Sequence, residues 1–186
     1  MKRKITCIIT LIVCLAALAG CNKAVNPGFY LFRSSPIGIQ IEYPDLWAKQ
    51  TENNEKIVAF LTPTEGYGDV YRDNVTVSFQ EIENGSYDKF IEGYRESLPS
   101  VFVGYTEEET ADVLVDDRQT MCITFQSTGT EKDENGKETT LTLRIKQYLV
   151  NDGDRVYILS FIAAPNSYDY FLPFFNTMVD TFHIKR

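Results

Sequence analysis

Late in the chain, Val156-Tyr157-Ile158-Leu159 and Phe161-Ile162-Ala163 carry apolar side chains at odd and even positions alike. Successive strand residues point to opposite faces, so a strand apolar on both belongs at the centre of a sheet covered from both sides. The remaining pattern has to supply that sheet and its covers. Asn74 to Ile82 alternates Val75, Val77 and Phe79 with Thr76, Ser78 and Gln80, and Leu141, Leu143 and Ile145 alternate with Thr142, Arg144 and Lys146. Such a period of two predicts strands with one covered and one exposed face. Short strands are expected at Phe29 to Arg33, Ile37 to Tyr43 and Lys56 to Leu61. Longer ones are expected over Phe102 to Val115, Thr120 to Thr130 and Thr139 to Val150. Asn135-Gly136 and Asn151-Asp152-Gly153-Asp154 signal tight hairpins, which make neighbouring strands antiparallel.

Two stretches change period. Tyr87, Phe90, Ile91, Tyr94 and Leu98 recur at helical spacing, with Ser86 placed to cap the start and Pro99 to mark the stop. Tyr168, Phe171, Leu172, Phe175, Val179 and Phe182 repeat the spacing, but Pro173 interrupts them. A proline is harmless in the first turn, so the expected helix starts near Leu172 after a turn; a longer helix kinked at Pro173 is the alternative. The expected class is α+β, an antiparallel sheet with helices packed on it.

The N-terminus reads as an address. Lys2, Arg3 and Lys4 precede an apolar run from Ile5 to Leu18, which is shorter than the roughly 20 residues of a membrane-spanning helix. Leu18-Ala19-Gly20-Cys21 then has the order of a bacterial lipobox, in which the cysteine thiol takes a diacylglyceryl group before cleavage just ahead of it. An uncleaved anchor helix and an ordinary secretory signal are the competing readings. The expected organisation is a signal peptide over 1–20, a lipidated tether over 21–27 and one domain over 28–186. The expected location is the extracytoplasmic face of a bacterial membrane, with the bilayer engaged through acylated Cys21. The polar segment Asn22 to Pro27 reaches only about 20 Å when extended, which keeps the domain near the lipid.

With 44% hydrophobic and 13% aromatic residues, the chain has the makings of a folded core. Removing the three basic residues of the leader takes the formal charge from −8 to −11. An acidic chain of this kind lacks the basic footprint that nucleic acid requires. Cys7 and Cys14 leave with the leader and Cys21 is acylated, so Cys122 has no partner for an intramolecular disulfide. It is expected to be a small buried hydrophobe.

Reactive constellations are hard to assemble. The single histidine, His183, sits three residues from the end and reads as a surface residue rather than a catalytic base. One histidine and one unmodified cysteine make no zinc set. Gly136-Lys137 fails as a phosphate loop because Glu131 stands where its first glycine belongs and Glu138 follows the lysine. Glu107-Glu108-Glu109 could draw calcium weakly but reads as a solvated strand face. No catalytic residue, metal site or cofactor is expected. Trp47, just past the Tyr43-Pro44-Asp45 bend, reads as a core plug, with ligand stacking as the alternative. The candidate binding residues are Tyr67, Tyr71 and Arg72, in the glycine-rich loop Gly66-Tyr67-Gly68-Asp69-Val70-Tyr71-Arg72. Those residue types are enriched at recognition surfaces, although such tyrosines can equally fold back onto a sheet edge.

Tyr43-Pro44-x-x-Trp47, Tyr157-x-Leu159-x-Phe161 and Phe175-x-x-Met178-Val179-x-x-Phe182 together resemble the PsbP-like family, which includes bacterial lipoproteins of the DcrB type. The resemblance spans nearly the whole mature chain and implies an α/β/α sandwich with a central antiparallel sheet. It also implies a noncatalytic binding or assembly role. The matched positions are core residues, so no functional site carries over. The extended arm of the photosynthetic member has no counterpart in Asn22 to Pro27, and a photosynthetic role is not implied. The leading expectation is therefore a membrane-anchored, noncatalytic factor for another envelope protein. The alternatives are a small-ligand sensor or carrier with an aromatic pocket between sheet and helix, and a cell-surface hydrolase.

Overall fold

A computed structural model describes residues 26–51, 56–64, 72–82, 86–132 and 138–185, the side chains of 131 and 132 excepted. Cys21, Tyr67, Tyr71 and the Asn135-Gly136 turn lie outside them. Strands β1 (Phe29–Ser34), β2 (Ile39–Pro44), β3 (Ala48–Thr51), β4 (Ile57–Leu61) and β5 (Asn74–Glu81) lead to helix α1 (Tyr87–Val101). Strands β6 (Thr106–Val115), β7 (Arg118–Lys132), β8 (Glu138–Asn151) and β9 (Arg155–Ala163) follow, then α2 (Pro165–Asp180) and the two-residue β10 (His183–Ile184). The strands form a three-stranded sheet, β1-β2-β10, and a seven-stranded one, β3-β4-β5-β9-β8-β7-β6. Every pairing is antiparallel.

The doubly apolar strand is β9, the fourth of the seven. Its Val156 and Ile158 join Met121, Ile123, Phe125, Ile145 and Leu149 in a cluster covered by Tyr87 and Leu98 of α1. Tyr157, Leu159, Phe161 and Ala163 face the other way, into a larger cluster with Phe171, Phe175 and Met178 of α2 and Ile39 and Ile41 of β2. Trp47 is 5% exposed in that second cluster, edge-on to Phe171 at 5.7 Å, so the core-plug reading holds. One buried hydroxyl stitches α1 to the sheet. Tyr87 donates to the Leu149 carbonyl at 2.6 Å and accepts from the Met121 amide at 2.7 Å, joining adjacent strands β8 and β7.

Two helix boundaries differ from expectation. Helix α1 does not stop at Pro99 but runs through it to Val101, closed by the Phe102 amide on the Leu98 carbonyl at 2.9 Å. In the last turn a proline removes a bond where the helix is about to end anyway. Ser86 does cap its start, accepting from the Lys89 amide. Helix α2 begins at Pro165 rather than near Leu172, leaving Pro173 in its interior. The early turns bury Tyr168 and Phe171. Burial is worth about 1.5–3 kcal/mol for a large apolar side chain, so the pair offsets the roughly 3 kcal/mol an interior proline costs.

Ala164, the residue capping α2, offers no side-chain acceptor. Asp73, ahead of β5, supplies one from a distance. Its carboxylate accepts from the Ala164 amide at 2.9 Å and from the Ser167 hydroxyl. A carboxylate suits the positive end of a helix.

Strands β3 and β10 had no signal strong enough to place them, whereas the expected strand ends at Val115 and Thr120 bracket the Val115-Asp116-Asp117-Arg118 hairpin. The hairpin turn has φ of 51° at Asp116 and 57° at Asp117, a left-handed pair built without glycine. The acidic triplet sits on β6, where the register with β7 shifts between Glu107 and Glu109.

Candidate functional site

The polar face of β5 is only partly open to solvent, with Thr76 and Ser78 half-buried and Gln80 exposed. Thr76, Ser78 and Gln80 turn toward α1 and line a cleft of about 610 Å³ between that helix and the seven-stranded sheet. Ser160 of β9 and Gln147 of β8 extend the floor. Neutral polar side chains thus sit in the middle of a sheet whose flanks, at Ile145, Leu149, Val156 and Ile158, are apolar.

Helix α1 forms the wall. Tyr94 donates to Gln147 Oε1 at 2.8 Å, and Gln147 Nε2 donates to Ser160 Oγ at 3.1 Å. Burial pushes the Tyr94 phenol up to about 12, the bond to Gln147 opposing only in part, so it stays a protonated donor at neutral pH. Phe90 stacks on Tyr94 with ring centroids 5.8 Å apart and planes 24° from parallel. Gly93 stands between them in sequence, and a Cβ built there meets nothing within 4 Å, so the absent side chain leaves the cleft open. Among the described residues of the lining, Lys89 is the one that carries a charge. This set offers hydrogen bonds, an aromatic face and one cation. Such groups are the means by which a small molecule is bound. Volumes of about 300–1,000 Å³ suit small ligands.

Of the residues singled out from sequence, Arg72 is not among those lining the cleft. Arg72 is taken up locally, its Nε donating to the Thr62 carbonyl at 2.9 Å and its Nη2 to the same oxygen. It therefore braces its own loop, while Tyr67 and Tyr71 fall outside the described residues. Two members of the acidic triplet, Glu107 and Glu108, are held by partners. Glu107 is 3.1 Å from Arg95 and accepts from Tyr105 and Thr110, and Glu108 is 2.8 Å from Arg144 and accepts from Gln126. Against the opposing pull of partial burial, those partners hold both carboxyls below their usual range. Among the described residues no group of three His, Cys, Asp or Glu could hold a metal ion. Cys122 is buried and unbridged, and burial pushes its thiol up. His183 lies at the surface with Nδ1 2.7 Å from Asp116 Oδ1. Among the described residues no helix is long and apolar enough to cross a membrane.

The cleft was foreseen only as a pocket between sheet and helix. Its residues were missed because an alternating strand normally turns its polar face to water. The available signal was Gly93, a helix-weakening residue beside the apolar stripe.

No protein-family model matches the sequence, and no curated protein does. Solved structures do match. The cyanobacterial PsbP, CyanoP, of Synechocystis sp. PCC 6803 superposes with a TM-score of 0.61 at 12% identity, covering 90% of this chain and 99% of that one. LpqN of Mycobacterium tuberculosis, described as involved in cell envelope biogenesis, gives 0.60 at 11% identity over 85% and 91% of the two chains. The Ran-binding protein Mog1p of Saccharomyces cerevisiae gives 0.56 at 11% identity over 84% and 95%. At the level of the fold, these likenesses agree with the resemblance first drawn from the apolar motifs. The chain has the PsbP-like fold, a mostly antiparallel α+β arrangement with two helices among its described residues.

Proposed function

We propose that this chain is a noncatalytic binding protein, held on the extracytoplasmic face of a bacterial membrane through acylated Cys21, and that it binds through the α1 cleft. The observation that carries the reading is the polar floor of Thr76, Ser78, Gln80, Gln147 and Ser160 beneath an amphipathic helix. A helix–sheet interface built only for stability would fill those positions with apolar side chains. The ligand it fits is a small molecule with a polar edge and a flat apolar face, neutral or singly anionic to suit Lys89. A helix cluster on each face of the seven-stranded sheet supports reading the fold as an α/β/α sandwich. The envelope role of LpqN supports the location.

Native mass spectrometry of the acylated protein, after incubation with a small-molecule extract of envelopes, tests the cleft. Wild type should carry a discrete added mass that Gly93→Leu, which fills the opening, does not retain. An adduct held equally by both proteins would remove the cleft from the account. The anchor has its own test. Cys21→Ala should leave an unprocessed precursor, and trimming of that variant at the same bond would show an ordinary secretory signal.

A second reading, an assembly factor for an envelope protein, draws support from Mog1p, a protein named for binding another protein on the same fold. In-cell cross-linking should then trap one reproducible partner, and recovery of none would count against it.

A further inference from the structure

We propose that an apolar rim formed by Leu46, Tyr170 and Phe174 rests on the lipid surface to which Cys21 is anchored. This rests on the reading of Cys21 as an acylated residue. Asn26, the first described residue, lies five positions after Cys21, and five residues span at most about 18 Å. Asn26 is fastened to the domain, its amide and Nδ2 donating to Glu42 Oε2 at 3.1 and 2.8 Å. Whatever surrounds that point is therefore held beside the bilayer.

What surrounds it is apolar. The Gly28 carbonyl accepts from the Asp45 amide at 2.9 Å, which brings the β2–β3 turn against the tether exit. Leu46, next in that turn, is 79% exposed. Behind it the Trp47 ring contacts Phe174 at 6.3 Å, and Phe174 also meets Phe29 at 6.4 Å and Tyr170 at 6.3 Å. Tyr170 is 68% exposed. An exposed leucine, a tyrosine and a half-buried phenylalanine thus frame the point where the chain leaves for its anchor. Tyrosine, apolar in body with a polar tip, suits the headgroup boundary.

Tethering raises the local concentration of lipid surface so far that a weak contact suffices, and two or three interfacial side chains supply one. Exposed Asp45 and Asp169 flank the rim, the latter 3.6 Å from Arg144, so the attraction is apolar and the best surface is zwitterionic. Because α2 and α1 belong to clusters on opposite faces of the seven-stranded sheet, this placement turns the α1 cleft toward water.

Trp47 is the only tryptophan and sits directly beneath the rim, which makes it the reporter. The acylated full chain is reconstituted in phosphatidylcholine vesicles, with and without bromine on the upper acyl chain, and the mass of its N-terminal peptide is measured. Brominated lipid should quench Trp47. Leu46→Ser with Tyr170→Ser should remove about half of that quenching while the anchored protein stays on the vesicles. Val103→Ser, at an exposed position beyond α1, should leave it unchanged. Unquenched Trp47 in acylated protein, or quenching that the double variant leaves intact, overturns the docking face. An unacylated Cys21 overturns the proposal through its anchor instead, so the two failures are told apart.

Discussion

His183 Nδ1 lies 2.7 Å from Asp116 Oδ1, and this pair clamps the short last strand of the small sheet to the β6–β7 turn of the large one. The other carboxylate oxygen accepts from the Ile184 amide at 2.9 Å, and Arg118 stands 3.7 Å away. Partial burial works against the charge, but the imidazole, the amide and the guanidinium together hold the Asp116 carboxyl below its usual range. A depressed folded pKa means the folded state favours the charged form. The stabilisation is therefore complete above the ordinary aspartate range and is lost as pH falls through the lower folded value. Asp116→Asn should melt below wild type at neutral pH, with the gap closing under acid conditions. Thermal melts across pH check this, and a gap that widens in acid would contradict it.

Asp73→Ala should lower stability by about 1–2 kcal/mol, because it removes the acceptor of the half-buried Ala164 amide at the start of α2. Asp73→Asn keeps one carbonyl oxygen for that amide and should lose less. Urea denaturation of both variants provides the comparison. An alanine variant as stable as wild type would show that α2 needs no cap from β5.

Gly93→Ala should raise stability by about 0.5–1 kcal/mol through helix propensity alone, since the added methyl enters open space. Chemical denaturation again gives the number. A decrease would mean that the space is needed by a neighbouring side chain, which would weaken the case for the cleft as a kept opening.

Cys122 should resist a thiol reagent at mildly alkaline pH in the native protein, since burial both shields the sulfur and disfavours its thiolate. Guanidinium unfolding should release a full equivalent of reactive thiol. Rapid labelling without denaturant would show the α2 side of the sheet opening far more readily than its packing suggests.

The central strand was legible because seven apolar residues leave β9 no other place, and α1 because its stripe and its cap agree. Boundaries failed where two effects of similar size compete. Nothing in the local pattern reveals that Tyr168 and Phe171 bury deeply enough to carry α2 through Pro173. The β6–β7 turn fell where the expected strands left a gap, but its tight form was hidden because Asp116 and Asp117 adopt a conformation that glycine usually announces. The cleft was hard to read for a related reason, while the candidate residues Tyr67 and Tyr71 lie outside the described residues. Thr76 and Ser78 look like a wet face until α1 is known to cross them, whereas Arg72, conspicuous in its loop, donates to a neighbouring carbonyl.

Within β9, Val156 and Ile158 serve one apolar cluster while Tyr157, Leu159 and Phe161 serve the other. The strand is a party wall: neither room can lose it and stand. Heat or denaturant should therefore dismantle both halves in a single event, with Trp47 on one side and the α1 tyrosines on the other reporting the same midpoint.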